Sequence, residues 1–248
     1  MSGERQFPPM AAEIPYLTTE QMVAVDRALI EEYDIRLEQM MENAGRALAH
    51  LARSRFLEGN PRGKRIAVLA GTGGNGGGAL VAARRLANYG ADVQVAITLA
   101  DDAFKPVPAH QLQIVRHMDL PVRQGAVESA DGKLDLILDG LIGYSLQGAP
   151  RGAAADLIRW ANGYPAPVLA LDVPSGVDTT TGAVYEPAIQ AAVTLTLALP
   201  KEGLRAEGLS NQVGELYLAD ISVPPALYAS LGLRVGPIFA ESDIVRLL

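Results

Sequence analysis

The chain has 248 residues, 49% of them hydrophobic and 20% charged, with a net charge of −7 and no cysteine. That length and apolar content favour one large domain over residues 1–248. The acidic balance, with no basic block, argues against nucleic acid and anionic membranes as partners, and the lack of cysteine excludes disulfides, thiolate metal sites and a cysteine nucleophile.

Residues 1–13 read as a loose N-terminal arm. Met1 to Ala12 lack the apolar core of a signal peptide, and no run approaches the ~18 apolar residues of a membrane span, so a cytoplasmic location is expected. Thr18-Thr19-Glu20-Gln21 has the form of a capping box, which predicts a helix from Thr19 to about Glu32. A second helix is predicted from Leu37 to Phe56, with Leu37, Met40, Met41, Ala44, Leu48 and Leu51 along one face. The methionine pair reads as packing, and Glu42 and Asn43 as surface residues or the edge of a site.

Ile66-Ala67-Val68-Leu69-Ala70 is an apolar run of the kind that forms a parallel strand covered on both faces. Six glycines in the eight residues 71–78 follow it, with Thr72 and Asn75 between them. A helix is predicted from Ala79, ending near Gly90. Glycines allow close backbone approach, and a helix N-terminus favours negative charge. Gly71-x-Gly73-x-x-Gly76 formally matches the dinucleotide fingerprint, although the acids Asp101 and Asp102 come late for it. A Walker loop is excluded, since no Gly-Lys-Ser/Thr follows.

Strands then alternate with helices. Strands are predicted at Asp92–Leu99, Pro121–Arg123, Lys133–Leu138, Ala166–Leu171, Ala191–Leu199 and Gly214–Ala219. Helices are predicted at Pro106–Met118 and Ala153–Asn162. This alternation predicts an α/β fold, a Rossmann-like three-layer α/β/α sandwich with a mostly parallel sheet. Ligands bind such sheets beyond the strands' carboxyl ends. Four loops gather there: 71–78, Asp139–Gly148, Asp172–Asp178 and Leu199–Gly203. Asn75, Asp139, Ser175 and loop carbonyls form an oxygen-only donor set suited to a hard cation, and one carboxylate among neutral oxygens favours a monovalent ion. Zinc is poorly served, because His50, His110 and His117 all fall in predicted helices away from this rim. Ser175 lacks nucleophile-elbow spacing and a base.

Together these motifs resemble the YjeF N-terminal domain family, whose characterised enzymes are NAD(P)H-hydrate epimerases. The resemblance covers about Leu17 to Pro224. It rests on Met41-Glu42-Asn43-Ala44-Gly45, the glycine segment with Asn75, the 139–148 loop, Asp172-Val173-Pro174-Ser175-Gly176-Val177-Asp178, and Pro200-Lys201 with Gly203. It implies a K⁺ ion on Asn75, Asp139 and Ser175. It places the substrate, hydrated NADH or NADPH, against Gly74, Asn75, Gly76, Gly77 and Gly78, against Gly143, Tyr144, Ser145, Leu146, Gln147, Gly148 and Ala149, and against Asp172. Asp172 is the candidate acid/base, with a ribose contact as its simpler role. Lys201 is open to a phosphate or to solvent. A homodimer and a separate dehydratase are the implied partners.

The family's glycine segment usually reads Gly-x-Gly-Asn-Asn-Gly-Gly-Asp-Gly. Here Gly74, Gly78 and Ala79 depart from it, and two polar ligand contacts are missing. That keeps a second hypothesis open, a non-catalytic nucleotide-binding paralogue or scaffold on the same fold. A third, an ordinary NAD-dependent dehydrogenase, is disfavoured by the late acids and the oxygen-rich cation set.

Overall fold

The apolar run is β1 (Arg65–Ala70), and its residues split between the two faces of a sheet. Ile66, Val68 and Ala70 join one buried cluster, and Ala67 and Leu69 join another. The computed structural model describes residues 7–10, 13–127 and 133–247. Around β1 stand β2 (Asp92–Ile97), β3 (Val122–Gln124), β4 (Leu136–Gly140), β5 (Val168–Leu171), β6 (Val193–Leu197), β7 (Glu215–Ala219) and β8 (Ile244–Arg246). Their order is β3-β2-β1-β4-β5-β6-β7-β8. All neighbours are parallel except β7 and β8. The order reverses between β1 and β4, which is where a doubly wound sheet opens its ligand crevice. The Rossmann-like α/β expectation holds. Among the described residues no helix is long and apolar enough to cross a membrane.

The helices are α1 (Thr19–Glu31), α2 (Leu37–Arg55), α3 (Gly74–Asn88), α4 (Pro106–His117), α5 (Gly152–Gly163), α6 (Ser210–Val213) and α7 (Pro225–Ser230). Leu48 of α2, Leu80 of α3 and Leu112 of α4 pack on one face of the sheet. Leu157, Ile158 and Ala161 of α5 pack on the other. The capping box forms as read: Gln21 N–H donates to Thr18 Oγ1, and Thr18 N–H to Gln21 Oε1.

Two readings of the chain change. Gly74, Gly76, Gly77 and Gly78 are not in a loop, because α3 begins at Gly74 and only residues 71–73 precede it. The close approach of the helix start to the strand end excludes side chains. A Cβ on Gly76 would lie 1.8 Å from the Gly71 carbonyl oxygen. That oxygen belongs to the backbone and cannot swing aside, so Gly76→Ala is expected to cost ~3 kcal/mol or more, read as a shift in the urea midpoint at constant slope. In the stretch read as a loose arm, residues 1–6, 11 and 12 lie outside the described residues, and 7–10 are docked. Phe7 is 3% exposed and stacks edge-on against His50 and Tyr217. Pro9 bridges to Arg246.

Candidate active site

A cavity of about 460 Å³ opens over the carboxyl ends of β1, β4 and β5. Helices α1 and α2 wall it on one side with Met22, Asp26, Leu37, Met40, Met41 and Ala44. The helices are held over the rim from several points. Leu17 N–H donates to the Pro200 carbonyl at 2.7 Å, and Glu202 N–H to the Leu17 carbonyl at 2.9 Å. The Thr19 hydroxyl meets Thr179 and Thr180 at 2.6 and 2.8 Å. Glu42 pairs with Arg84 and Arg85 and ties α2 to α3. The methionines are therefore both packing and cavity wall. Glu42 turns to α3, and Asn43 bonds the Ile221 carbonyl.

Of the predicted site residues, Gly74, Asn75, Gly143, Tyr144, Ser145 and Asp172 line the cavity. Gly76, Gly77 and Gly78 are buried in the first turn of α3 beneath it. A Cβ on Gly77 would meet Met41 Sδ at 2.6 Å, and one on Gly78 would meet Leu171 Cδ2 at 2.8 Å. Leu146, Gln147, Gly148 and Ala149 continue the loop beyond the cavity wall. The wall also includes Asp26 and Lys105, neither of which the motifs single out. Asp26 had a signal: it falls within the stripe Met22, Val25, Leu29 at helical spacing, where an acid is out of place.

Asp139 and Ser175 lie behind the wall, both 0% exposed. Asp139 Oδ1 accepts from Ser175 Oγ at 2.7 Å and from Leu141 N–H at 3.1 Å, and Oδ2 accepts from Ser175 N–H at 2.8 Å. No ammonium or guanidinium bonds this carboxylate among the described residues. Burial pushes its pKa up to about 6, against the opposing hydrogen bonds from Ser175 and Leu141. Asn75 Nδ2 donates to the Leu171 carbonyl at 2.9 Å, and its side chain lies against Gly143. Among the described residues no cluster of three or more His, Cys, Asp or Glu stands ready for a metal. One uncompensated buried carboxylate among neutral oxygens suits a monovalent cation.

Asp172 closes β5 with a φ of 66° and is 4% exposed. A non-glycine residue in the left-handed region is uncommon and clusters at functional sites. Its carboxylate bonds the Lys201 ammonium, which also reaches the Leu197 carbonyl at 2.9 Å. Lys201 is 0% exposed. It serves neither a phosphate nor solvent, because its partner is the carboxylate itself. Asp101, the acid nearest the dinucleotide fingerprint, is held by Arg116 at 2.6 and 2.7 Å, outside the cavity.

The sequence pattern of the family described as YjeF-related protein N-terminus matches residues 37–203, from the start of α2 to just past Lys201. The chain belongs to that family. An NAD(P)H-hydrate epimerase of Dehalogenimonas lykanthroporepellens is 44% identical over 224 residues, covering 88% of this chain and 86% of its own. A bifunctional NAD(P)H-hydrate repair enzyme of Salinibacter ruber is 37% identical over 92% of this chain, which spans only 44% of that relative. A yeast protein of known crystal structure has a TM-score of 0.79 at 23% identity, covering 94% of this chain and 100% of its own, and it shares the fold. In this YjeF-related chain the matched span holds Asn75, Asp139, Asp172, Ser175 and Lys201.

Proposed function

We propose that the chain is an NAD(P)H-hydrate epimerase, an isomerase interconverting the R and S forms of hydrated NADH and NADPH. The 44% identity to a protein of that name, along nearly the whole of both chains, carries the reading. The cavity supports it. The N–H groups of Gly74 and Asn75, at the start of α3, have no acceptor within the helix and favour a phosphate, and Lys105 lines the same cavity. Met40 and Met41 offer an apolar surface to a ring.

The substrate carries a hydroxyl at C6 of the nicotinamide ring. Its inversion needs loss and return of that oxygen, with proton transfers. Asp172 is the acid/base of this reading, and Lys201 pairs with its buried carboxylate and orients it. K⁺ would be held by Asn75, Asp139 and Ser175, where it supplies positive charge that neutralises Asp139. The ligands come from α3, β4 and the loop after β5, so the ion would join the loops on which the substrate rests. A separate NAD(P)HX dehydratase would consume the S product. The reading includes a cytoplasmic homodimer, for which exposed Val23 and Ile30 of α1 supply apolar surface.

The test mixes the protein with (R)-NADPHX, K⁺ and a dehydratase specific for the S form, and follows NADPH recovery. The expected result is recovery faster than spontaneous epimerisation allows. A folded protein that gives only the spontaneous rate would favour the binding paralogue. That second reading keeps one specific support. Leu171 Cδ2 occupies the space beside Gly78 into which the family's usual aspartate would project.

A further inference from the structure

Two carboxylates line the cavity in unlike surroundings. Asp172 is bonded to Lys201. Asp26, midway along α1, has no ammonium or guanidinium bonded to it among the described residues. Its Oδ2 accepts from the Tyr144 hydroxyl at 2.5 Å. Met22, Val25 and Leu29 are buried around Asp26 on the inward face of α1, so the carboxyl points into the molecule. A polar group so placed costs stability unless it is satisfied, and it stands where substrate would enter. Tyr144 comes from a different element, the loop between β4 and α5. That loop is fixed at its base by Ser175, which accepts from Ile142 N–H at 2.9 Å.

Resting on the epimerase reading, we propose that Asp26 and Tyr144 form a second proton-transfer group, acting as the acid where Asp172 acts as the base. In the first step the C6–O bond breaks and its electron pair leaves with oxygen. The proton shared by Asp26 and Tyr144 converts that oxygen to water. The lone pair of ring nitrogen N1 forms a C6–N1 double bond, and the resulting cation is balanced by the negative charge left on the Asp26–Tyr144 pair. In the second step a water oxygen adds to the other face of C6, and the double-bond pair returns to N1. Asp172 takes the proton released by that water. Its transfer through solvent back to Asp26 resets the site, with no net gain or loss of atoms or electrons.

The charges around Asp26 agree with this division. Burial raises its pKa, the Tyr144 hydrogen bond and the Lys201 charge lower it, and the Asp172 charge raises it further. From α7, Tyr228 also faces it, and burial raises the pKa of that phenol. Asp26 is thus a carboxyl held toward its protonated form, as a general acid requires.

The experiment follows (R)-NADPHX epimerisation, coupled to dehydratase, in wild type, Asp26→Asn, Asp26→Glu and Tyr144→Phe across pH, with Tm and NADP⁺ affinity recorded for each. Asp26→Asn is expected to lower kcat by about 10²-fold with NADP⁺ affinity retained. Wild-type kcat should fall toward alkaline pH as the acid loses its proton. That limb should vanish in Asp26→Asn and persist, displaced, in Asp26→Glu. A purely structural residue would move Tm and leave the limb. If Asp26→Asn fails to fold, Tyr144→Phe, which keeps the ring packing, carries the test with the same expected direction. Wild-type acceleration together with variants within about threefold of it and an unchanged limb would overturn the proposal alone. No acceleration by wild type would overturn the epimerase reading, and the role of the pair with it.

Discussion

Asp172→Asn is expected to lower turnover by about 10²- to 10⁴-fold and also to destabilise the fold by about 3–5 kcal/mol, the cost of removing one partner from a buried ion pair. The second effect follows from Lys201, which is wholly buried and has Asp172 as its carboxylate partner. Asparagine tolerates the left-handed backbone at this position, so strain does not account for the loss. The charge left on Lys201 does. Adding Lys201→Met should recover most of the stability and none of the turnover, because replacing both members of a buried pair by neutral groups is often close to neutral. Urea unfolding and the coupled epimerase assay on both variants separate the two effects. Stability unchanged in Asp172→Asn would contradict the pairing. Turnover restored in the double variant would remove Asp172 from the chemistry.

Potassium should raise Tm, and the gain should grow as pH rises. Asp139 is wholly buried without a counter-charge among the described residues, and its pKa is pushed up to about 6. The folded state therefore holds that proton at pH values where the unfolded chain has released it. Stability contributed by the protonated group is fully present below the unfolded value of 3.8 and is lost as pH rises through about 6. Ionising the carboxyl in the folded protein rather than in the unfolded chain thus costs ~3 kcal/mol. A cation beside the carboxylate offsets this cost, so its benefit is small at pH 5 and full at pH 8. At a hundredfold excess over Kd the stabilisation is about 3 kcal/mol, or roughly 5–10 °C for a domain of this size. Differential scanning calorimetry with K⁺ and with Li⁺ at both pH values reads it. A gain that is equal at the two pH values, or that survives Asp139→Asn, would sink the potassium assignment.

The central fold was legible because its signals are local. An apolar run bounded by glycine announces β1, and Thr18 with Gln21 announces the start of α1. The short antiparallel β8 was missed, since three residues carry no periodicity. The start of α3 was placed five residues late, because its glycines weigh against a helix by propensity while tertiary packing demands Gly76, Gly77 and Gly78 there. At the site, the sequence brought Asn75, Asp139, Asp172 and Ser175 to one rim through strand-end logic. It was silent on direction. Whether Lys201 reaches outward or inward depends on the loop after β6, and whether Asp26 meets Tyr144 depends on how α1 lies across the rim. Both are long-range outcomes that no spacing within the chain encodes.

Leu17 clasps the loop around Lys201 from both sides, donating to the residue before it and accepting from the residue after it. The buried ammonium is therefore held in place partly by the polypeptide that precedes the first helix. Proteolytic trimming back past Leu17 would unfasten this clasp while leaving every parallel strand intact. Such a nicked protein would keep its sheet and lose the alignment of the charge that faces Asp172, so that amino-terminal integrity becomes a condition of activity.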